Sequence, residues 1–269
     1  MAILLSGIWD IQNRESYKIH FARYNQHSQP LEVWVRDKRE WQGWQEFRPG
    51  RNDFNLPFIF SMMQFYHEPE TWLFGGVFEV TARYEDRYEV VLTEQGKDFI
   101  GRLKIRTPYK NRATRTCMEP WFNDFEVKEI LAEPYTGQAF PGFQEIDLSF
   151  EELEALAKTG RPDWKAALES VKGVYLVTDC RTGKKYVGAA YGDHGVWSRW
   201  MCYIESGHGG NVGIHSLIKE HDLDYCRKNF RFALLEHSLF NETRDKIQAR
   251  EAFWKNVLFT RGARGLNRN

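Results

Sequence analysis

Residues 173–190 read GVYLVTDCRTGKKYVGAA, and this stretch decides how the second half of the chain folds. Gly173 to Thr178 and Lys185 to Ala190 are rich in β-branched and aromatic residues, and Asp179 to Gly183 between them holds a Thr-Gly turn, so the stretch predicts a β-hairpin. Downstream, Val196 to Ile204 and Ile214 to His221 have helical periodicity. Asn229 to Glu236 alternates Phe230, Phe232 and Leu234 as a strand does, and Thr243 to Leu258 reads as a longer helix. The expected order is ββααβα, an α/β (α+β) domain in which a small mixed β-sheet is flanked by helices.

Upstream, Ser149 and Glu152 form a Ser-x-x-Glu capping box that opens an acidic helix from Phe150 to Lys158. Pro162, tolerated in a first turn, opens a second helix running toward Val171. Residues 1–148 read as mostly strand: Tyr17 to Ala22, Leu31 to Val35, Trp72 to Ala82, Arg87 to Thr93, Phe99 to Thr107 and Phe125 to Ala132. The expected organisation is a β-rich domain over 1–148, a helical connector over 149–170 and a second domain over 171–269. Trp34, Trp41, Trp44, Phe65, Tyr66, Trp72 and Phe74 read as β-core rather than as a pocket that stacks a base. Trp197, Trp200 and Trp254 likewise have the helical spacing of core residues.

A length of 269 residues suits two domains. No apolar run approaches the ~18 residues that span a bilayer, and the opening MAILLSG lacks a basic n-region, so a cytoplasmic protein without membrane contact is expected. Cys117, Cys180, Cys202 and Cys226 make no Cys-x-x-Cys pair, which argues against disulfides and structural zinc and for reduced, mostly buried thiols. The eight histidines show no ligand-pair spacing. The formal net charge of zero hides an asymmetry: from Arg161 onward there are 18 Lys and Arg against 12 Asp and Glu, the remainder carrying 19 against 25. A basic second half suits a polyanionic partner.

The pairing of Gly173-Val174-Tyr175 with Tyr186-Val187-Gly188, its tyrosines eleven residues apart, also occurs in hairpins that simply pack two aromatic rings across strands. Further positions follow in order: Arg199 and Tyr203 at i and i+4 on a helix, Glu251 in Arg250-Glu251-Ala252-Phe253-Trp254-Lys255, and Asn267 in Gly265-Leu266-Asn267. Taken together, roughly the last hundred residues resemble the GIY-YIG nuclease superfamily. Val stands for Ile in both named motifs, and the interval from Tyr186 to Arg199 is longer than in compact homing-type members, leaving an extra loop around Tyr191 to Gly195.

The resemblance implies a metal-dependent endonuclease, with a restriction or phage-defence enzyme as one role. Glu251 is the implied ligand of Mg²⁺ or Mn²⁺, a hard cation content with one carboxylate plus water and phosphate oxygens. Arg199 is implied at the scissile phosphate as a planar, permanently charged fork. Tyr175 is the candidate to orient or deprotonate water, with Tyr186 and Tyr203 bonding phosphate or water beside it. An ordinary phenol is a poor base near neutrality, and Lys185 is the cation expected to assist. Asn267 is expected to orient Glu251 or its loop. His208 with Gly209, Gly210 and Asn211 reads as a plain loop rather than a phosphate-binding nest.

In the first domain, Arg102, Lys104, Arg106, Lys110, Arg112 and Arg115 fall in one stretch with no acidic residue among them, a candidate basic row for nucleic acid. The expected partner is DNA, with RNA or branched DNA as alternatives and a homodimer as one route to cutting both strands. The competing class is a nucleic-acid-binding protein without catalysis.

Overall fold

The structure, a computed structural model, describes residues 2–218 and 223–268, and the chain divides into two compact units, 1–135 and 136–269. It belongs to the mixed α+β class. No helix among the described residues is long and apolar enough to cross a membrane.

The first unit comprises β1 (Ile3–Leu4), β2 (Tyr17–Ala22), α1 (Pro30–Arg36), α2 (Lys38–Glu46), β3 (Phe58–Gln64), β4 (Thr71–Arg83), β5 (Tyr88–Leu92), β6 (Leu103–Arg106), β7 (Arg115–Cys117) and β8 (Glu126–Ile130). Its strands form one sheet in the order β1-β8-β6-β4-β3-β2-β7, with β5 also paired to β4. The β2–β3 pair is parallel. Phe21, Phe60, Phe74, Leu103, Phe122 and Phe125 fill its core.

Residues 31–35 are helical, which corrects the expectation of a strand there. Pro30 sits at the first helical position, and Leu31, Val33, Trp34 and Val35 are all buried. A helix buried all round shows no 3.6-residue alternation, so its β-branched content misleads. Asp37 then accepts from the backbone N–H groups of Arg39 and Glu40 at 2.8 and 3.2 Å and starts α2. The reading of Trp34, Trp41, Phe65, Trp72 and Phe74 as core agrees with their burial, whereas Trp44 and Tyr66 are half-buried.

The second unit comprises β9 (Asp147–Ser149), α3 (Phe150–Thr159), α4 (Pro162–Glu169), β10 (Val171–Asp179), β11 (Lys185–Ala190), α5 (Gly195–Ser206), α6 (Val212–Ile218), α7 (Leu223–Asn229), β12 (Phe230–Leu239) and α8 (Arg244–Val257). The end of the helix expected over 214–221 lies outside the described residues, and α7 is an added element. The sheet order is β11-β10-β12-β9, and the three pairings are antiparallel. Ser149 accepts from Glu152 N–H at 3.2 Å and Glu152 accepts from Ser149 N–H at 2.6 Å, completing the capping box. Helices α3 and α4, expected as a connector, supply Phe150, Leu153, Trp164 and Leu168 to this unit's core beside Trp200 and Phe232.

The four cysteines are free thiols, but only Cys226 is buried; Cys117, Cys180 and Cys202 are exposed, contrary to the expectation of mostly buried thiols. Cys202 lies on the outer side of an amphipathic helix whose inner face takes the large aromatic residues Trp200 and Tyr203.

Candidate active site

The hairpin of β10 and β11 is the base of the site. Asp179, fully buried, accepts from Arg181 N–H at 3.1 Å, Thr182 Oγ1 at 2.5 Å and Tyr225 Oη at 2.9 Å, which fixes the turn. Tyr175 faces Gly188 across the strands, and Tyr186 faces Val177. Tyr175 and Tyr186 are therefore diagonal neighbours on one face, with ring centroids 6.5 Å apart. A Cβ at position 188 would overlap the Tyr175 hydroxyl and the Tyr186 ring, so glycine is required for the two phenols to approach. On its other edge β10 slips register against β12 between Val174 and Tyr175, a bulge of the kind that re-aims a side chain.

Helix α5 lies on this face. Gly195 opens it at φ +54°, and a side chain there would strike the carbonyl oxygens of Val171 and Leu168. Arg199 and Tyr203 stand one turn apart on the buried side. Arg199 Nε donates to Tyr175 Oη at 3.0 Å, Tyr175 Oη and Tyr203 Oη share a hydrogen bond of 3.2 Å, and the Arg199 guanidinium lies 5.6 Å from the Tyr203 ring centre. Arg199 also lines the cavity, where it hydrogen-bonds the Tyr186 side chain.

Tyr175, expected from the sequence to orient or deprotonate water, is enclosed. Its side chain is fully buried, as is that of Tyr203, and neither lines the cavity. Burial pushes both hydroxyls well above the ordinary phenol range despite the nearby Arg199 cation. Enclosed, Tyr175 accepts the Arg199 Nε hydrogen bond. Tyr186 does reach the cavity; burial raises its hydroxyl, partly offset by Arg199. Lys185, next along β11, alternates to the opposite face of the strand and does not line the cavity, so the cation beside the phenols is Arg199.

Helix α8 supplies the carboxylate. Arg250 Nε donates to Glu236 at 2.8 Å and Trp254 Nε1 donates to the same carboxylate at 2.9 Å, docking α8 on β12. Glu251 lines the cavity and pairs with the buried Lys255 at 3.0 Å, one turn on. The cavity, about 510 Å³, is bounded by Tyr186, Arg199 and Glu251 with Gln248, Ser198 and Tyr191. Glu251 is the only carboxylate among its described lining residues, and no histidine joins it. That donor set fits a hard divalent cation that keeps most of its water, and it does not fit zinc.

Asn267, expected to orient Glu251 or its loop, bonds strand β11. Its Oδ1 accepts from Val187 N–H at 2.9 Å and its Nδ2 donates to Val187 O at 2.8 Å, so both amide atoms pin β11 beside Tyr186. Leu266 N–H donates to Lys185 O at 2.9 Å and strengthens the same seam. The loop after α5 is not an anion nest: Gly209 N–H donates to Ser206 Oγ, Gly210 N–H to His208 Nδ1 and Asn211 N–H to His208 O. Asn211 Oδ1 in turn accepts from Gly213 and Ile214, starting α6. Sequence reading did not single out Lys255 or Gln248, although their offsets of four and three residues from Glu251 place them on its helical face.

Four of the six cations in the first unit's basic row, expected as a candidate track for nucleic acid, stand beside carboxylates. Lys104 is buried over the Phe65 ring, with Nζ 2.7 Å from Glu68 and 2.8 Å from Glu129. Arg106 pairs with Glu126 and Lys110 with Glu70. Arg102 donates to the carbonyls of Leu131 and Asp98, and Arg115 is largely buried against Phe54. Arg112 is exposed. The compensating acids sit on neighbouring strands and loops, distant in sequence.

No protein-family model matches the chain, and neither does any curated protein. Among solved structures it is similar to the catalytic domain of the homing endonuclease I-TevI, at 24% identity over 36% of this chain and 98% of that chain, with a TM-score of 0.29.

Proposed function

We propose that the second unit is a nuclease of the GIY-YIG type, which hydrolyses nucleic-acid phosphodiesters with one divalent cation held at Glu251. The observation that supports this best is the meeting of Arg199, Tyr186 and Glu251, from three separate elements, at one open cavity. Phosphodiester hydrolysis needs a fixed cation for the developing oxyanion, a group to orient water and a carboxylate for a metal. Arg199 supplies the first and stays charged throughout, Tyr186 is placed for the second, and Glu251 supplies the third. When bound, Mg²⁺ or Mn²⁺ supplies phosphate polarisation and a coordinated water.

Tyr175 and Tyr203 act behind this wall as positioning residues for Arg199, and Asn267 holds the strand that carries Tyr186. We infer DNA as the substrate and the first unit as the part that selects the target, in keeping with a restriction or defence enzyme. Supercoiled plasmid and a structured RNA, each incubated with the full chain and Mg²⁺ or EDTA, test the reading. Conversion of plasmid to nicked or linear forms only with Mg²⁺ is expected. Intact plasmid with degraded RNA would reassign the substrate, and no cleavage of either would remove the catalytic reading.

A further inference from the structure

The first unit contains a second cavity, of about 500 Å³, that the proposed chemistry does not use. Its size falls within the usual range for small-ligand pockets. Tyr24 and Phe47 line it although 52% and 61% exposed, and Trp44 lines it half-buried. Large rings left open to water around a concavity are available for stacking. Its polar wall includes Arg23, Asn25, His27, Asp53 and Thr114, with His20 and Arg115 the two that are largely buried.

The hydrogen bonds fix what this wall offers. Gln45 Nε2 donates to Trp41 O at 3.1 Å, so Gln45 Oε1 is the acceptor of the 2.7 Å bond with His20 Nδ1. The proton of His20 is therefore on Nδ1, and burial keeps the ring neutral, its value pushed down to about 3, leaving Nε2 as a bare acceptor. Arg115 Nη2 donates to Phe47 O at 2.7 Å. Its Nη1 is buried without a hydrogen-bond partner among the described residues, the Asp53 carboxylate standing 3.7 Å away. A buried guanidinium N–H left without a hydrogen bond is costly.

We propose that this cavity receives a single nucleobase extruded from a nucleic-acid strand, stacked on Trp44 and Phe47, with an N–H of its edge toward His20 and a ring acceptor toward Arg115. Aromatic faces beside one acceptor and one donor match a planar heteroaromatic ring whose edge carries both functions, as nucleobases do. The inference rests on the reading of the second unit as a nuclease, since that reading makes a polynucleotide the source of the base.

The test uses the full chain carrying Glu251→Ala, so that binding is read without cleavage. Its affinity is measured for a labelled 20-base-pair duplex, fully paired or with one base left unpaired opposite an abasic site, each of the four bases in turn. For at least one base, the unpaired duplex is expected to bind about tenfold tighter. Phe47→Ala, at an exposed side chain, and Trp44→Leu are each expected to remove that preference while leaving affinity for paired duplex unchanged. Equal affinity for paired and unpaired duplexes, or a preference that survives both substitutions, overturns the pocket. If the parent chain still cuts DNA, the nuclease reading stands without it. Binding of free deoxynucleoside monophosphates as tightly as the unpaired duplex would assign the cavity to a free nucleotide and overturn the extruded base.

Discussion

Arg199 Nε donates to the buried hydroxyl of Tyr175 at 3.0 Å, so the hairpin strand β10 sets the position of the cation on helix α5. On the proposed reading, in which Tyr175 positions Arg199, the relationship separates two outcomes for Tyr175→Phe. Loss of the acceptor lets Arg199 drift, and misplacement on the order of 1 Å costs up to about 100-fold in rate. Cleavage is expected to fall about 10- to 100-fold with an unchanged pH profile between pH 6 and 9. An altered profile would restore Tyr175 as an ionising base, and an unchanged rate would remove its role.

Gly188 lies against the two phenols, and Gly188→Ala forces Tyr175 and Tyr186 apart. Overpacking of this kind costs roughly 1–3 kcal/mol. A lowered Tm together with reduced cleavage is expected. A variant as stable and active as the parent would show that the phenols need not approach.

Asn267→Ala removes both side-chain bonds to Val187 and leaves that residue's N–H and C=O short of partners. At about 1–3 kcal/mol per unsatisfied buried group, denaturant unfolding should register a loss of about 2–4 kcal/mol. Were Asn267 instead a partner of Glu251, metal affinity would fall while stability held.

The hairpin, helix α5, helix α8 and the order of Tyr175, Arg199, Glu251 and Asn267 were legible because local periodicity and turn residues specify them. The roles were less so. Whether Tyr175 touches water depends on α5 closing over it, and whether Lys104 is an open cation depends on Glu68 and Glu129, residues brought to it only by the sheet. Strand β3, Phe58–Gln64, is apolar on both faces apart from Ser61 and Gln64 and lies inside the sheet, so no alternation marks it. Helix α1 escaped for the same reason.

His20 gives a pH signature. Its folded-state value is depressed to about 3 by burial first, with Arg115 adding to it and the Gln45 bond opposing it. Below the ordinary histidine value near 6.5 the unfolded chain takes up a proton that the folded chain does not, so stability falls with acidification between pH ~6.5 and ~3. The slope from this group approaches about 1.4 kcal/mol per pH unit. In chemical denaturation from pH 7 to 5, the parent should lose more stability than His20→Gln; equal losses would mean that His20 is protonated in the folded state.

Glu251→Gln keeps the size and hydrogen-bonding capacity of the side chain and removes the charge that a divalent cation requires. The most direct measurement is single-turnover cleavage of a labelled DNA substrate by wild type and Glu251→Gln across a Mg²⁺ or Mn²⁺ titration, with folding checked by circular dichroism. Metal-dependent cutting by the wild type and a loss of at least about 100-fold in the folded variant are predicted. Equal cleavage by the two proteins, or wild-type cleavage that persists in EDTA, would contradict the account.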